Sequence, residues 1–348
     1  MSSRFWITSI TLILLAVVVF FGRNLIVEAW GLMGQVNIWI LLLLIPIQFI
    51  SYYAIGEVMF SYLRSKGDLK NMSRFKMARI SLELNFVNHI VPVPAAAGFS
   101  YLGWMLKKYD VGVGRATMAQ LIRYVLSFLS FVSLLIIAVV VVAFDYKISK
   151  SIIISVSLAI FFAVVLFGFL IFAISSKKRV LSLSKFIIKT VNKFIGIFNF
   201  KKKKKLLESS KTNSFFIELH QDYVEILKEK KILLVPFAWA ILNMLLDAFL
   251  ILVAFWALGF WVNPAALFIA FCLSSIVTLV FSVTPGGAGV YETVMIAFLA
   301  STGVPPEVAV AGTLLARAAL LLGTIGFGYL FYQLTINKYG KAPKQNSI

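Results

Sequence analysis

The sequence predicts an all-α polytopic membrane protein with about six spanning helices and two oppositely oriented re-entrant helical hairpins in an inverted repeat. Three observations carry that prediction. Hydrophobic residues make up 61% of the chain and mean hydropathy is +0.94, so the charged residues cannot cover a water-soluble surface. Several apolar runs reach the roughly 20 residues that a bilayer crossing needs. A proline-led phrase also occurs twice in apolar sequence. Pro94-Ala95-Ala96-Ala97-Gly98-Phe99-Ser100-Tyr101 is echoed by Pro285-Gly286-Gly287-Ala288-Gly289-Val290-Tyr291-Glu292, and Gly112-Val113 and Gly303-Val304 keep the same spacing of 191 residues.

Charge placement orders the elements. Of the 33 basic residues, 15 lie in 177–231, 6 in 64–79 and 3 in the tail at Lys338, Lys341 and Lys344. These segments alternate with apolar ones, as cytoplasmic loops do under the positive-inside bias. The net charge of +19 therefore follows from topology. The lysine run 201–205 has no interleaved aromatics, and no nucleic-acid partner is expected.

A first helix over about 5–27 is read as retained, because its apolar run exceeds the roughly 7–15 residues of a signal-peptide core. The next helix, at about 36–62, returns to the cytoplasm. The segment at about 80–106 is interrupted by Asn85, Asn88, His89, Pro92 and Pro94 and is followed by Lys107-Lys108, so it dips in and returns. Helices at about 113–143 and 151–174 follow, then a basic cytoplasmic insert over 175–231. After a helix at 232–258, the segment 264–301 is broken at Thr284-Pro285-Gly286-Gly287. It must begin and end outside, because the last helix, about 306–334, ends beside Lys338. Residues 264–283 are long enough to span alone, so a plain helical hairpin satisfies the same parity.

Residues 1–338 thus form a single integral membrane domain with repeat copies at about 80–143 and 264–334. The tail 339–348 and both termini are cytoplasmic, and the expected location is the cell membrane. Within the insert, an amphipathic stretch over 180–198 reads either as an interfacial helix on anionic lipid headgroups or as a solvated helix packed on its neighbour. Glycines at 323, 326 and 328 permit close helix packing, within the chain or in a homo-oligomer.

Charges inside the apolar segments define the candidate site. A charge near the bilayer centre costs about 2.5–3.5 kcal/mol on insertion scales, so each needs a partner. Arg123 and Arg317 follow the two breaks, Asp247 lies near the middle of its helix beside Asn243, and Glu292 starts the short helix after the second break. Arg317 with Glu292 or Asp247 makes a structural ion pair on one reading. On the other, Arg317 and Arg123 hold an anionic group such as a lipid phosphate, which guanidinium grips through two hydrogen bonds. Half-helix N-termini at the breaks would add N–H donors. Pro285, Gly286, Gly287 and Gly289 shape a tight turn or close backbone approach, or serve helix packing alone. Glu57 and Glu307 read as interfacial.

No metal set with ligand spacing, P-loop, dinucleotide fingerprint or nucleophile elbow stands out, so neither metal nor cofactor is expected. With one cysteine, Cys272, no internal disulfide forms. An intramembrane transferase using His89 or Glu292 as general base is a third-ranked reading.

The phrase Thr284 to Glu292, the Gly303-Val304 turn and the Leu314-Leu315-Ala316-Arg317 helix resemble the flippase-like membrane domain of bacterial lysylphosphatidylglycerol synthases, which also occurs as a stand-alone protein. The resemblance covers about 5–335. It implies a membrane protein that moves a phospholipid or polyprenyl-linked lipid, with Pro285, Gly286, Gly287, Gly289, Glu292 and Arg317 shaping the lipid path. Membrane lipid is then the substrate, and the chain is a translocase rather than an enzyme. With the sequence ending at Ile348, aminoacylation of lipid is not expected. Ala95 and Ala96 replace glycines in the first copy, and Ser100-Tyr101 stand where related proteins often carry charges. The alternative from a different class is a scaffold that recruits a soluble lipid-modifying enzyme through the basic insert.

Overall fold

The computed structural model describes residues 36–90, 94–143, 223–281 and 289–339, with isolated positions in 20–34 and 157–221. Every element among the described residues is helical. Helix α1 runs through Ile38–Leu42 and Leu44–Ser65 as one span with a turn at Leu43. It is followed by α2 (Arg74–Ile90), α3 (Pro94–Leu106), α4 (Val113–Ala143), α5 (Leu234–Ala257), α6 (Pro264–Phe281), α7 (Val290–Ser301) and α8 (Pro306–Tyr339). Four of these, α1, α4, α5 and α8, are long and apolar enough to cross a membrane. The chain is a polytopic membrane protein. The spans expected at 5–27 and 151–174, the amphipathic stretch at 180–198 and the tail after Tyr339 lie outside the described residues, apart from isolated positions.

Helix starts follow ordinary capping chemistry. The Asn37 side chain accepts from the Trp39 and Ile40 N–H groups at 3.1 and 3.4 Å, and Asn263 does the same for Ala265 and Ala266 at 2.9 and 3.3 Å. Pro264 and Pro306 occupy first helical positions, where a missing N–H costs nothing. Helix α2 starts six residues before the expected 80. Ser73 caps it by accepting from the Lys76 N–H at 3.4 Å, and the basic stretch that follows is helical although hydropathy alone gives no sign of it.

The two faces predicted from charge are present. At one, Lys66 pairs with Glu225 at 2.8 Å, Arg115 with Asp68 at 3.5 Å, and Lys108 stacks over Tyr339 at 4.0 Å. The hydrogen bond from Lys66 holds the Glu225 carboxyl below its ordinary range. This basic face gathers the ends of α1, α3 and α8 and the starts of α4 and α5. At the other face the Asn37 N–H donates to the Ala257 carbonyl at 2.7 Å, fastening the start of α1 to the end of α5. Glu57 corrects an expectation: it is buried rather than interfacial, and Arg64 reaches it from the basic face. Glu307 is exposed as expected.

Helix neighbours obey a two-fold rule. α1 packs on α5; α2 on α3 and on α8; α6 on α7 and on α4; α1 on α4; α5 on α8; α3 on α4; and α7 on α8. Exchanging α1 with α5, α2 with α6, α3 with α7 and α4 with α8 maps this set onto itself. That is the pattern of an inverted repeat with its axis at the α1–α5 contact. The α2–α3 hairpin opens on the basic face and the α6–α7 hairpin on the opposite one. With 13 and 12 residues, α3 and α7 are about 20 and 18 Å long at about 1.5 Å per residue. Each of these two helices is therefore shorter than a hydrocarbon core about 30 Å thick.

Lipid tails are as apolar as leucine, so close packing and hydrogen bonds hold these helices together. Gly328 shows the packing contribution. A Cβ there would collide with the Phe86 Cβ and lie 3.2 Å from the Leu82 carbonyl oxygen, so glycine lets α8 press on α2. Gly328→Ala is expected to cost about 1–3 kcal/mol by overpacking. Thermal unfolding of the detergent-solubilised protein checks this; an unchanged Tm would mean that α8 does not rest on α2 at Gly328. Gly323 likewise leaves room for the Gln48 side chain, so these two glycines serve packing within the chain.

Candidate functional site

The repeat phrase folds differently in its two copies. In the first, Ala95 to Ala97 are good helix formers and α3 begins at Pro94. In the second, counted at the repeat spacing, the helix starts five residues later, at Val290. Gly289 is its cap, at φ +91° and ψ −52°, a conformation that suits glycine alone. Pro285, Gly286 and Gly287 lie outside the described residues.

Glu292, in the first turn of α7, uses both carboxylate oxygens. One accepts from the Gly289 N–H at 2.6 Å, in the manner of half a capping box, and the other from Arg317 Nε at 2.7 Å. The Arg317 guanidinium also sits 4.5 Å from the Tyr291 ring centroid. Arg317 lies about 16 Å along α8 from Pro306, near the bilayer middle. The geometry thus pairs Arg317 with Glu292 and leaves Asp247 to other partners.

Asp247 meets no arginine. It accepts from Ser51 Oγ at 2.5 Å and from Asn243 Nδ2 at 3.5 Å, and Asn243 also donates to Ser51 Oγ at 2.9 Å. These groups close the α1–α5 contact on the two-fold axis. A neighbouring cluster joins α1 to α8: Gln48 Nε2 donates to Tyr52 at 2.7 Å and to the Leu320 carbonyl at 2.9 Å, and the Tyr52 hydroxyl bonds Thr324. Sequence reading missed Gln48, Ser51 and Tyr52. Their signal was present, since polar residues at i, i+3 and i+4 in an apolar helix mark one face.

Around the first break the arrangement is different. Arg123 is 7% exposed, its guanidinium lies 4.8 Å from the Tyr124 ring centroid, and its Nε has no hydrogen-bond partner. Asn88 Oδ1 and both ends of the Gln120 amide are also buried without partners. His89 bonds the Asn85 carbonyl through Nδ1 at 2.8 Å. Its ring is exposed, yet lies within electrostatic reach of both Arg123 and Arg317. The end of α2 therefore lies near both Arg123 on α4 and Arg317 on α8. Glu83 stands apart from it, fully buried nearer the basic face. It accepts from Arg79 Nε at 2.8 Å, from Thr335 Oγ1 at 2.6 Å and from the Tyr101 hydroxyl. Tyr101 occupies the repeat position of Glu292, so the two copies place different chemistry at equivalent points.

Two opposed helical hairpins, with the buried Arg123 and the partly buried Arg317 on the helices that follow them, define a class of polytopic helical membrane protein. Within that class, the family described as the lysylphosphatidylglycerol synthase TM region matches residues 6–328, and the chain belongs to it. No curated protein and no solved structure gives a significant match. Membership ties the chain to membrane lipid.

Proposed function

We propose that this protein is a lipid translocase of the cell membrane, with its basic face in the cytoplasm. It takes a phosphate-bearing headgroup between the two breaks and releases it to the other leaflet. The observation that carries this reading is Arg123, a buried cation whose Nε–H lacks an acceptor, set near the same end of α2 as the Arg317–Glu292 pair. A charge held at mid-membrane without full satisfaction is costly, and an anionic headgroup supplies the missing acceptors. The start of α7 adds the positive end of a helix dipole. The reaction is binding and movement, with no covalent step.

A pair of variants tests translocase against scaffold. Movement of a headgroup-labelled phospholipid between leaflets is measured in proteoliposomes for Glu292→Gln and for a deletion of 177–231. A translocase is expected to lose about tenfold or more in rate with Glu292→Gln, equivalent to about 1.4 kcal/mol in the barrier, and to keep its rate without the insert. The reverse pattern would support the scaffold.

A further inference from the structure

The described polar groups are bonded to different extents at different interfaces. Across α1–α5, Ser51, Asn243 and Asp247 bond one another; across α1–α8, Gln48 and Tyr52 bond the Leu320 carbonyl and Thr324; across α2–α8, Glu83 and Arg79 bond Thr335. Each of these seams is held by hydrogen bonds between helices. The inner face of α4 differs. Gln120 and Ser130 are fully buried, Arg123 nearly so and Ser127 partly, and each has a side-chain atom without a partner. Elsewhere on the same helix, Thr117 and Ser133 bond the carbonyls of Val113 and Leu129, four residues back, at 2.8 Å each. The buried serines make no such bond.

The four residues fall at i, i+3, i+7 and i+10, which is one line down a helix. At about 1.5 Å per residue from Val113, the line runs from about 10 to about 26 Å, through the middle of the bilayer. Facing it from the first hairpin is Asn88 Oδ1, also unpartnered, with Gly98 between them. A Cβ at Gly98 would collide with Asn88 Oδ1 and lie 3.1 Å from Gln120 Nε2. Buried polar groups left unpaired disfavour the state that buries them. Among the described residues, no side-chain hydrogen bond from Asn88 Oδ1 or the Gln120 amide crosses this contact.

We infer that Gln120, Arg123, Ser127 and Ser130 form the track along which the headgroup crosses, and that the track opens when the α2–α3 hairpin separates from α4 while α1, α5 and α8 stay joined. The inference rests on the translocase reading and specifies its route. The ligand is a phosphodiester headgroup, whose oxygens accept from Arg123, the Gln120 amide and the two hydroxyls in succession.

Unsatisfied groups give this proposal a signature that a structural role lacks. Removing a buried unpaired hydroxyl, as Ser→Ala does, is neutral or stabilising, whereas removing a bonded one destabilises. The double variant Ser127→Ala/Ser130→Ala is expected to hold or raise Tm, by roughly 2 °C or more, and to lower the rate of movement of a labelled phospholipid in proteoliposomes by about tenfold. A drop in Tm, or a rate within twofold of wild type, would overturn the track and leave the translocase reading standing. No lipid movement by the wild-type protein would overturn both. Opening is read separately. In a Cys272→Ala background, Ser130→Cys is expected to react with a water-soluble methanethiosulfonate, and a cysteine that stays unmodified in the folded protein would contradict an opening seam.

Discussion

Arg317→Ala is expected to cost about 3–5 kcal/mol of stability and to stop lipid movement. The stability loss comes from Glu292, which is 5% exposed and would lose the cationic partner that compensates its buried carboxylate. The Gly289 N–H would still hold one carboxylate oxygen, so α7 keeps its cap. A second variant separates the two effects. Arg317→Leu/Glu292→Leu removes both charges, and replacing a buried ion pair by apolar residues is often neutral or stabilising. The double variant is expected to recover most of the lost Tm and none of the lost transport. Recovery of both would reduce the pair to a helix fastener.

Glu83→Ala is expected to be equally damaging to stability, about 3–5 kcal/mol, with a different functional consequence. It removes the carboxylate shared by Arg79, the Tyr101 hydroxyl and Thr335, leaves the buried Tyr101 hydroxyl without its acceptor, and leaves Arg79 bonded only to Thr335 and the Phe331 carbonyl on α8. This cluster belongs to a seam held by its own hydrogen bonds, so transport per folded molecule is expected to stay within about twofold of wild type. Thermal unfolding together with transport normalised to monodisperse protein checks it. A tenfold fall in the normalised rate would place Glu83 in the lipid path.

The fold was largely legible because membrane topology is written in local sequence. Basic residues mark one face, apolar length marks the described spans, and Pro94 marks the start of α3. The two-fold exchange of helix neighbours is what a phrase repeated with opposite sidedness predicts. The boundaries of α2 were less legible, because its first turns are polar and helical at once. Partner choice was legible only for the short-range pair, Glu292 with Arg317. Asp247 turned to Ser51, 196 positions away, and Glu83 to Thr335, 252 positions away. Such contacts follow from how helices cross, which no single segment encodes. The unpaired face of α4 was invisible for a further reason. Gln120, Ser127 and Ser130 are unremarkable residues until their neighbours fail to answer them.

The most direct measurement is leaflet exchange of a headgroup-labelled phospholipid in proteoliposomes containing the purified wild-type chain. It is followed by the fraction of label reached by an impermeant quencher, with imposed proton and sodium gradients as separate arms. The account requires exchange well above protein-free liposomes in at least one arm, and its loss in Arg317→Leu/Glu292→Leu despite a folded protein. Exchange no faster than in protein-free liposomes in every arm, from protein shown to be folded, would contradict it.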